Sequence, residues 1–263
     1  MSAREQTLRG QVALVTGAGR GIGRLVAVEL AEQGMALGLV GRNRERLEET
    51  ARSCAEHGVA TAVLVADVRS AFEVREAAHA VRTALGPVDL LVNNAGLVDR
   101  GEAPFWEADQ EHWWEVFETN LRGTVNGCQA VASEMIQRRS GRIVNMSSIF
   151  AVRGDIRYSA YSASKASVLA LSAVLADSLR ENGVHLFDIS PGMVRTDMTL
   201  GMAVCAGRED WTDPARFVAA LVRVAHGELD ALAGRFLHVG TDNFDALLAE
   251  AGGKDKASMA EAP

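Results

Sequence analysis

The stretch YSAYSASK, residues 158–165, holds the side chains of this chain best suited to acid–base chemistry. It contains both tyrosines, Tyr158 and Tyr161, and the one lysine before residue 254, Lys165. Tyr161 and Lys165 are four residues apart, so on a helix they lie on the same face. A phenol has a pKa of about 10, and a neighbouring ammonium group lowers that pKa by favouring the phenolate. The spacing therefore predicts a tyrosine that exchanges a proton, supported by a lysine.

A glycine-rich turn, TGAGRGIG at residues 16–23, is the second candidate for chemistry. It does not match GxGxxG, because position 22 is Ile, and it lacks the lysine of a triphosphate-binding loop. It matches TGxxxGxG through Gly17, Gly21 and Gly23. Glycines between a strand and a helix let backbone N–H groups approach a phosphate at the helix N-terminus. The turn predicts a dinucleotide site, with a purely structural turn as the alternative.

The end of the second apolar run indicates which dinucleotide would bind. An NAD site usually carries an Asp or Glu here that hydrogen-bonds the ribose. This chain has Arg42 instead, and no carboxylate before Glu45. Arg42, together with Arg20 of the glycine turn, is able to bind a 2′-phosphate through charge-assisted hydrogen bonds. We therefore predict NADP(H) rather than NAD(H); the alternative is that Arg42 and Arg44 are solvated residues at a helix start.

Short apolar runs that alternate with helical patterns must position these residues. The runs are rich in Val, Ile and Leu on consecutive positions, as expected of parallel strands covered on both faces. They lie at residues 12–16, 35–40, 60–66, 88–92, 141–147, 184–190 and 234–239. The helical patterns lie at 21–33, 43–57, 70–85, about 109–138 and 158–182, with weaker ones at 213–226 and 243–250. We predict a doubly wound α/β fold, a Rossmann-type parallel sheet of about seven strands.

No linker or repeat divides this alternating pattern. We therefore predict a single dinucleotide-binding and catalytic domain over residues 1–263, with its core at about 8–250 and a flexible tail at 251–263. Asn43 and Ser70 are predicted to cap helices. The glycines expected to end helices are Gly34, Gly58, Gly86 and Gly183.

Composition argues against several classes of function. The net charge is −7, and no basic run is longer than Arg138-Arg139, so neither nucleic acid nor an anionic membrane is an expected partner. The three cysteines have no CxxC spacing and the six histidines no ligand pairing, so no disulfide and no metal site is predicted. No signal peptide or 18-residue apolar run occurs, which favours a cytoplasmic location.

With these features in order along the chain, the sequence resembles the short-chain dehydrogenase/reductase family, in the branch that carries TGxxxGxG and YxxxK. The resemblance covers residues 8 to about 245. It rests on Thr16–Gly23, Asp67-Val68, Asn93-Asn94-Ala95-Gly96, Asn120, Ser148, Tyr161-x-x-x-Lys165, Pro191-Gly192 and Thr196.

The resemblance implies roles for four catalytic residues. Tyr161 would donate or accept the proton at the substrate oxygen, while Lys165 lowers the pKa of Tyr161 and binds the nicotinamide ribose. Ser148 lies thirteen residues before the tyrosine and would orient the carbonyl, with Ser147 as the competing choice. Asn120 would hold a water that relays protons to Lys165; the alternative is an asparagine that only kinks a helix.

The resemblance also implies the cofactor contacts. Asp67 would accept a hydrogen bond from the adenine amine, unless it is simply a helix cap. The full set of expected cofactor residues is Gly17, Arg20, Ile22, Gly23, Arg42, Asn43, Asp67, Val68, Asn94, Gly96, Tyr161, Lys165, Val194 and Thr196.

The function implied is that of an NADP(H)-dependent oxidoreductase that interconverts a carbonyl and a secondary alcohol by hydride transfer. The carbonyl would be a ketone, an aldehyde or a 3-oxoacyl thioester, a small-molecule partner. The alternative is a catalytically silent NADP(H)-binding regulatory protein. A sugar epimerase or dehydratase would require a longer C-terminal region and a different glycine spacing.

Two further expectations concern the surface. The helix near 158–182 is apolar or small nearly all round, so with the 110–138 helix it is expected to form the interface of a homo-oligomer, a tetramer. Arg100, Arg153 and Arg157 flank the expected pocket. They would suit an acidic substrate, although solvated surface arginines are the favoured interpretation.

Overall fold

The computed structural model of the chain describes residues 8–260, and the side chains of residues 8–252. Seven strands form one parallel sheet in the order β3-β2-β1-β4-β5-β6-β7. The predicted doubly wound Rossmann-type fold in a single α/β domain is therefore confirmed. The strands are β1 (Val12–Thr16), β2 (Ala36–Gly41), β3 (Thr61–Val65), β4 (Leu90–Asn93), β5 (Gly141–Met146), β6 (Val184–Ser190) and β7 (Phe236–His238).

Helices cover both faces of the sheet, which explains why the strands are apolar on consecutive residues. Ala13 and Val15 of β1 belong to the apolar layer under the first and ninth helices, whereas Val12 and Leu14 belong to the layer under the third and fifth. All five residues of β1 are buried. A strand with one face in water would have alternated instead.

The helices are close to those predicted. They are α1 (Gly21–Glu32), α2 (Arg44–Ala55), α3 (Ala71–Leu85), α4 (Gln110–Phe117), α5 (Gly123–Arg138), α6 (Phe150–Arg153), α7 (Ser159–Glu181), α8 (Asp197–Leu200), α9 (Pro214–Ala225) and α10 (Phe244–Ala260). The Asn43 side chain accepts a hydrogen bond from the backbone N of Arg46 at 2.9 Å, and the Ser70 side chain accepts one from Glu73 N at 3.3 Å. Both predicted caps are confirmed.

Two helical segments differ from the sequence-based expectation. The single helix expected over 109–138 is interrupted by a π-helical turn at Glu118–Arg122, which separates α4 from α5. A flexible tail is expected from residue 251, yet α10 continues to Ala260; this stretch contains three alanines and two lysines, which favour a helix, and also Gly252-Gly253, which do not, and residues 261–263 lie outside the described part. Within residues 8–260, no helix combines the length and apolar character needed to cross a membrane.

Candidate active site

The principal cleft lies at the carboxyl ends of the strands, where the strand order reverses between β1 and β4. In an open α/β sheet this switch point is the usual place for a ligand. The cleft has a volume of about 560 Å³, within the range of cofactor pockets. Asn94, just after β4, lines the cleft and joins β4 to the end of β1: its Nδ2 donates to the carbonyls of Thr16 at 2.9 Å and Gly17 at 3.2 Å.

The glycine turn that lines this cleft is packed too tightly for side chains. A Cβ on Gly17, which has a φ of +65°, would lie 2.8 Å from Asn94 Nδ2, and one on Gly23 would lie 2.3 Å from the Gly17 carbonyl oxygen. The residue before α1, Arg20, contributes no side-chain cap, and the first turn of α1 has no acidic residue. Backbone N–H groups at this helix start are therefore available to an anion.

The structure brings most of the predicted cofactor residues to one cleft. Those that line it are Gly17, Arg20, Ile22, Arg42, Asn43, Asp67, Val68, Asn94, Gly96, Tyr161, Lys165 and Thr196. Gly23 and Val194 do not line it. Gly23 packs beneath the turn, and Val194 is 1% exposed, with its carbonyl accepting the hydroxyl of Thr199 at 2.7 Å.

The two arginines expected to select NADP, Arg20 and Arg42, both line the cleft and are exposed to solvent. Arg20 Nη1 lies 3.1 Å from Asp197 Oδ2, and Arg42 Nη1 lies 3.9 Å from Glu115 Oε1. Both arginine side chains are 58% exposed, so these ion pairs are weak and either guanidinium is free to turn to a phosphate.

Sequence reasoning missed two further arginines that line the cleft, Arg46 and Arg195. Arg46 lies in the first turn of α2, and a Cβ on Gly19 would lie 3.1 Å from its Cβ. The arginine-rich cluster Arg42-Asn43-Arg44-Glu45-Arg46, which directly follows β2, was the available signal. Four arginines around one cleft fit a polyanionic cofactor.

Asp67 is occupied by a local partner. Its carboxylate accepts hydrogen bonds from Arg69 Nε at 3.1 Å and Nη2 at 2.7 Å, and the bond from Arg69 is the main reason that its pKa is lowered. Asp67 is not the cap of α3, since Ser70 has that role. Arg69 donates two hydrogen bonds to each oxygen of Asp67, from its backbone N and Nε to Oδ1 and from Nε and Nη2 to Oδ2, so Asp67 would accept from an adenine amine only if the Arg69 side chain turned away.

Tyr161 and Lys165 both line the cleft, and Ser148 lies beside Tyr161. The Ser148 side chain lies close enough to the Tyr161 side chain to lower its pKa, and the Ser148 hydroxyl accepts from the backbone N of Phe150 at 3.2 Å. Lys165 is 5% exposed; its Nζ donates to the Met146 carbonyl at 2.6 Å and lies 5.7 Å from the Tyr161 ring centroid. The YxxxK spacing does place both side chains together.

The expected effect of Lys165 on Tyr161 is not seen in this structure. Burial raises the pKa of Tyr161 above its usual value, and only the hydrogen bond from Ser148 acts in the other direction. Lys165 lies against the ring and donates to a backbone carbonyl rather than to the phenolic oxygen. A neutral phenol suits a proton donor, the role that reduction of a carbonyl requires.

Ser147 and Ser148 differ in their surroundings. Ser148 contacts Tyr161, whereas Ser147 is 3% exposed and its hydroxyl has no hydrogen-bond partner among residues 8–252. Ser147 is, however, the serine that lines the cleft. The contact with Tyr161 favours Ser148 as the residue that acts with the tyrosine, and its catalytic role stays a prediction.

Asn120 lies in the π-helical turn between α4 and α5, and its side chain is fully used. Nδ2 donates to the Leu97 carbonyl at 3.0 Å and to Ser164 Oγ at 2.9 Å, and Oδ1 accepts from Leu97 N at 2.9 Å. Thr124 Oγ1 donates to the Asn120 carbonyl at 2.7 Å. Asn120 thus joins the loop after β4 to the helix of Tyr161. It lies in the turn that interrupts the helix and it also contacts α7, so both interpretations of this residue fit its position, and its part in a proton relay stays a prediction.

Asp188, which sequence reasoning missed, lies in a buried polar row behind Lys165. Asn93, Asn145 and Asp188 are register partners on β4, β5 and β6, and Ser172 of α7 donates to Asp188 Oδ1 at 2.9 Å. Lys165 and Asp188 are the buried charged side chains of residues 8–252. Burial lowers the pKa of Lys165 to about 8 and raises that of Asp188 to about 7. An acid within the apolar run VHLFDIS was the available signal.

Apolar side chains form a wall beside Tyr161. Tyr158, Met202 and Cys205 are buried there, and the partly buried residues packed against them are Val98, Phe150, Tyr161, Met193 and Trp211. The Tyr158 hydroxyl donates to Glu102, so the second tyrosine of the chain is engaged elsewhere.

The three arginines considered for an acidic substrate do not line the cleft. Arg157 is paired with Asp155, Nη2 to Oδ2 at 2.7 Å, and Arg100 and Arg153 are exposed. Their arrangement favours the interpretation of surface residues.

The chain is similar to proteins of one enzyme family along most of its length. A match to the short chain dehydrogenase family spans residues 11–203. The chain is 36% identical over 189 residues to the 3-oxoacyl-[acyl-carrier-protein] reductase FabG of Staphylococcus epidermidis, covering 71% of this chain and 76% of that protein. It is 36% identical over 205 residues to an uncharacterized oxidoreductase of Staphylococcus saprophyticus, covering 78% and 84%. The structure of a gluconate 5-dehydrogenase from Burkholderia cenocepacia in complex with NADP and tartrate superposes with a TM-score of 0.79 at 30% identity, covering 90% of this chain and 96% of that one.

Proposed function

Because this chain belongs to the short-chain dehydrogenase family and is an oxidoreductase acting on CH–OH groups, we propose that it interconverts a carbonyl compound and a secondary alcohol with NADP(H), using Tyr161 as general acid or base. The observation that carries the proposal is the grouping of Ser148, Tyr161 and Lys165, in which the tyrosine and the lysine line a cleft that arginines also line.

The residues of the cleft suit each part of that reaction. A reduced nicotinamide bound there would supply the hydride that reduces the carbonyl carbon. Ser148 would donate a hydrogen bond to the carbonyl oxygen, and Tyr161 would transfer its phenolic proton to that oxygen, forming the alcohol. The Lys165 ammonium would stabilise the phenolate left on Tyr161 until the proton is replaced. Oxidation of an alcohol reverses these transfers.

A panel of substrates tests the proposed function. Ketones, aldehydes and 3-oxoacyl thioesters would be offered with NADPH, and the loss of NADPH absorbance would be followed; the corresponding alcohols would be offered with NADP. The similarity to a protein named as a 3-oxoacyl-[acyl-carrier-protein] reductase, and the apolar wall beside Tyr161, support including thioesters with apolar chains. If NADPH binds but no carbonyl compound is reduced, the silent regulatory protein becomes the better interpretation.

Cofactor preference is expected to depend on Arg42. We expect Arg42→Asp to raise KM for NADPH by about 10- to 100-fold, because a charge-assisted hydrogen bond to the 2′-phosphate is replaced by repulsion. KM for NADH should not rise, since a carboxylate here suits ribose hydroxyls. Steady-state kinetics with both cofactors measure the change.

Arg44→Asp is the matched control for this prediction. Arg44 is two residues away, pairs with Glu48 at 3.7 Å and does not line the cleft. It should leave both KM values within about twofold. An unchanged preference in Arg42→Asp would refute the assignment of Arg42.

The pH dependence of kcat/KM for NADPH should report Lys165. Burial lowers the pKa of Lys165 to about 8, so the ammonium is present below that pH and is lost above it. We expect kcat/KM to fall as pH rises through about 8, because the ammonium would bind the nicotinamide ribose and support Tyr161. In Lys165→Arg, which stays charged, activity is lower but this fall should disappear. A wild-type profile that is flat to about pH 10 would contradict the prediction.

We also propose that the chain works as a homo-oligomer, a tetramer, in the cytoplasm. One face of α7 packs on the sheet, while Val174 on the same helix is 78% exposed, which supports contact with another subunit. The cysteines of the described residues, Cys54, Cys128 and Cys205, are free and buried, which suits a reducing compartment.

A further inference from the structure

The helix that carries Tyr161 begins without a cap of its own. Tyr158 precedes α7, and its side chain makes no capping hydrogen bond. The backbone N–H groups of a first helical turn have no partner within the helix and are usually satisfied by the side chain just before it. In this chain a residue distant in sequence does so. Asp99 Oδ1 accepts from Ala160 N at 3.1 Å, and Asp99 Oδ2 accepts from Tyr161 N at 2.9 Å.

We infer that Asp99, in the loop after β4, is a positioning residue that fixes the first turn of α7 and thereby the phenol of Tyr161. The inference rests on the proposed function, in which Tyr161 exchanges the proton. Asp99 uses both carboxylate oxygens, one for each N–H group, and one of the two groups belongs to Tyr161 itself. A carboxylate at a helix N-terminus is also favoured by the helix dipole.

The loop that carries Asp99 is held from two sides. The Asn120 side chain bonds both the N–H and the carbonyl of Leu97, at 2.9 and 3.0 Å. His112 Nε2 lies 3.2 Å from the carbonyl of Val98, the residue before Asp99. A loop fixed at two successive residues presents the next side chain, Asp99, in a defined place.

The start of α7 is held by the same part of the chain. Trp113 Nε1 donates to Ser159 Oγ at 3.1 Å, and Asn120 Nδ2 donates to Ser164 Oγ at 2.9 Å. The segment from α4 through the π-helical turn therefore braces both the loop and the helix, and Asp99 joins the two at Tyr161.

A shift of this first turn would act on chemistry more than on cofactor binding. Tyr161 is the third residue of α7, whereas Lys165 lies a turn further on and is anchored to the Met146 carbonyl. Loss of the Asp99 bonds would move the phenol relative to Ser148 and the substrate carbonyl. A misplacement of about 1 Å at a reacting group is enough for a loss of about 10²-fold in rate.

We expect Asp99→Ala to lower kcat by between about 10- and 100-fold and to leave KM for NADPH within about twofold. Asp99→Asn keeps one acceptor for the two N–H groups, so it should restore a large part of kcat. Asp213→Ala is the matched control: Asp213 caps α9 by accepting from Ala215 N at 2.9 Å, and no residue of α9 lines the cleft. It should lose stability without loss of kcat.

A second measurement reports the contact without any turnover. The chain has two tyrosines, so protein labelled with ¹⁵N-tyrosine gives two backbone amide signals, assigned with Tyr158→Phe. In Asp99→Ala the Tyr161 amide signal should shift and its hydrogen exchange should accelerate at least about tenfold, while the Tyr158 amide changes little. Asp213→Ala should change neither signal.

The outcomes separate this inference from the proposed function. An unchanged Tyr161 amide in Asp99→Ala, or a changed amide with wild-type kcat, overturns the positioning role. If the wild-type protein reduces no carbonyl compound, the proposed function fails, and the amide of Tyr161 still decides whether Asp99 holds this turn. If Asp99→Ala does not fold, Asp99→Asn is compared with the wild type in both measurements, and an unchanged kcat together with an unchanged amide overturns the role.

Discussion

Tyr161→Phe is expected to reduce kcat for any carbonyl substrate by about 10² to 10⁴-fold, the usual contribution of a positioned proton donor. Phenylalanine keeps the ring, which packs against the apolar wall, and removes only the hydroxyl that contacts Ser148. The carbonyl oxygen would then develop negative charge without a proton donor. Binding of NADPH should be nearly unchanged, because the arginines and the glycine turn are untouched.

The other tyrosine of the chain provides the control. Tyr158 is three residues away and fully buried, and its hydroxyl donates to Glu102 outside the reacting group. Burial raises the pKa of Tyr158 to about 12, and its proton is committed to the hydrogen bond with Glu102. Tyr158→Phe should keep kcat within a few-fold and lose about 1 kcal/mol of unfolding free energy. Equal turnover by Tyr161→Phe and wild-type protein would remove Tyr161 from the reaction.

Asp188→Asn is expected to stabilise the folded protein at pH 8 by up to about 4 kcal/mol, the energy that corresponds to a carboxyl pKa raised from 3.8 to about 7. Burial disfavours the ionised carboxylate of Asp188, whereas the unfolded chain ionises it freely. Asparagine has the same shape, carries no charge and keeps an acceptor for Ser172. Part of the gain is offset because Lys165 loses the charge of Asp188, which raises its pKa in the wild type.

The stabilisation by Asp188→Asn is expected to increase with pH. Below pH 3.8 the carboxyl is protonated in both states and has no effect, and the destabilisation of the wild type grows as pH rises toward 7. The advantage of Asp188→Asn at about pH 5 should therefore be less than half of its value at about pH 8. Urea denaturation at equal protein concentration at both pH values measures it.

Asp230→Asn is the control, and it is not expected to stabilise the fold. Asp230 accepts two hydrogen bonds from Arg142, at 2.8 and 2.6 Å, so its charge is paired and its loss should destabilise the fold or leave it unchanged. If Asp188→Asn is less stable than the wild type at pH 8, the ionised carboxylate of Asp188 is stabilised by its surroundings, contrary to this prediction.

Local patterns in the sequence predicted the fold and much of the site. Consecutive apolar residues predicted buried parallel strands, and the strands lie within a few residues of those positions. The glycine turn between β1 and α1, the caps Asn43 and Ser70, and the neighbouring side chains of Tyr161 and Lys165 all depend on residues close in sequence. Backbone conformation and helical periodicity are short-range properties, so such features are visible in the order of residues.

The electrostatic state of the site was decided by tertiary structure. The raised pKa of Tyr161 and the lowered pKa of Lys165 come from burial, to which elements from the whole chain contribute. The electrostatic effect of Asp188 on Lys165, and the hydrogen bond from Ser172 to Asp188, likewise require α7 to lie on β6. Composition and spacing do not report how much water a side chain loses, and desolvation therefore could not be derived from them.

The placement of Tyr161 also depends on long-range contacts. Asp99 accepts a hydrogen bond from Tyr161 N, 62 residues further along the chain, and Asn120 donates to Ser164, 44 residues away. At the cleft, Arg20 likewise pairs with Asp197, 177 residues away. The sequence by itself determined which residues are able to transfer a proton and hold a dinucleotide, because residue type and local spacing specify that chemistry. Only the tertiary structure decided which distant residues hold them in place and what charge they carry, because packing brings those partners together and removes water from around them.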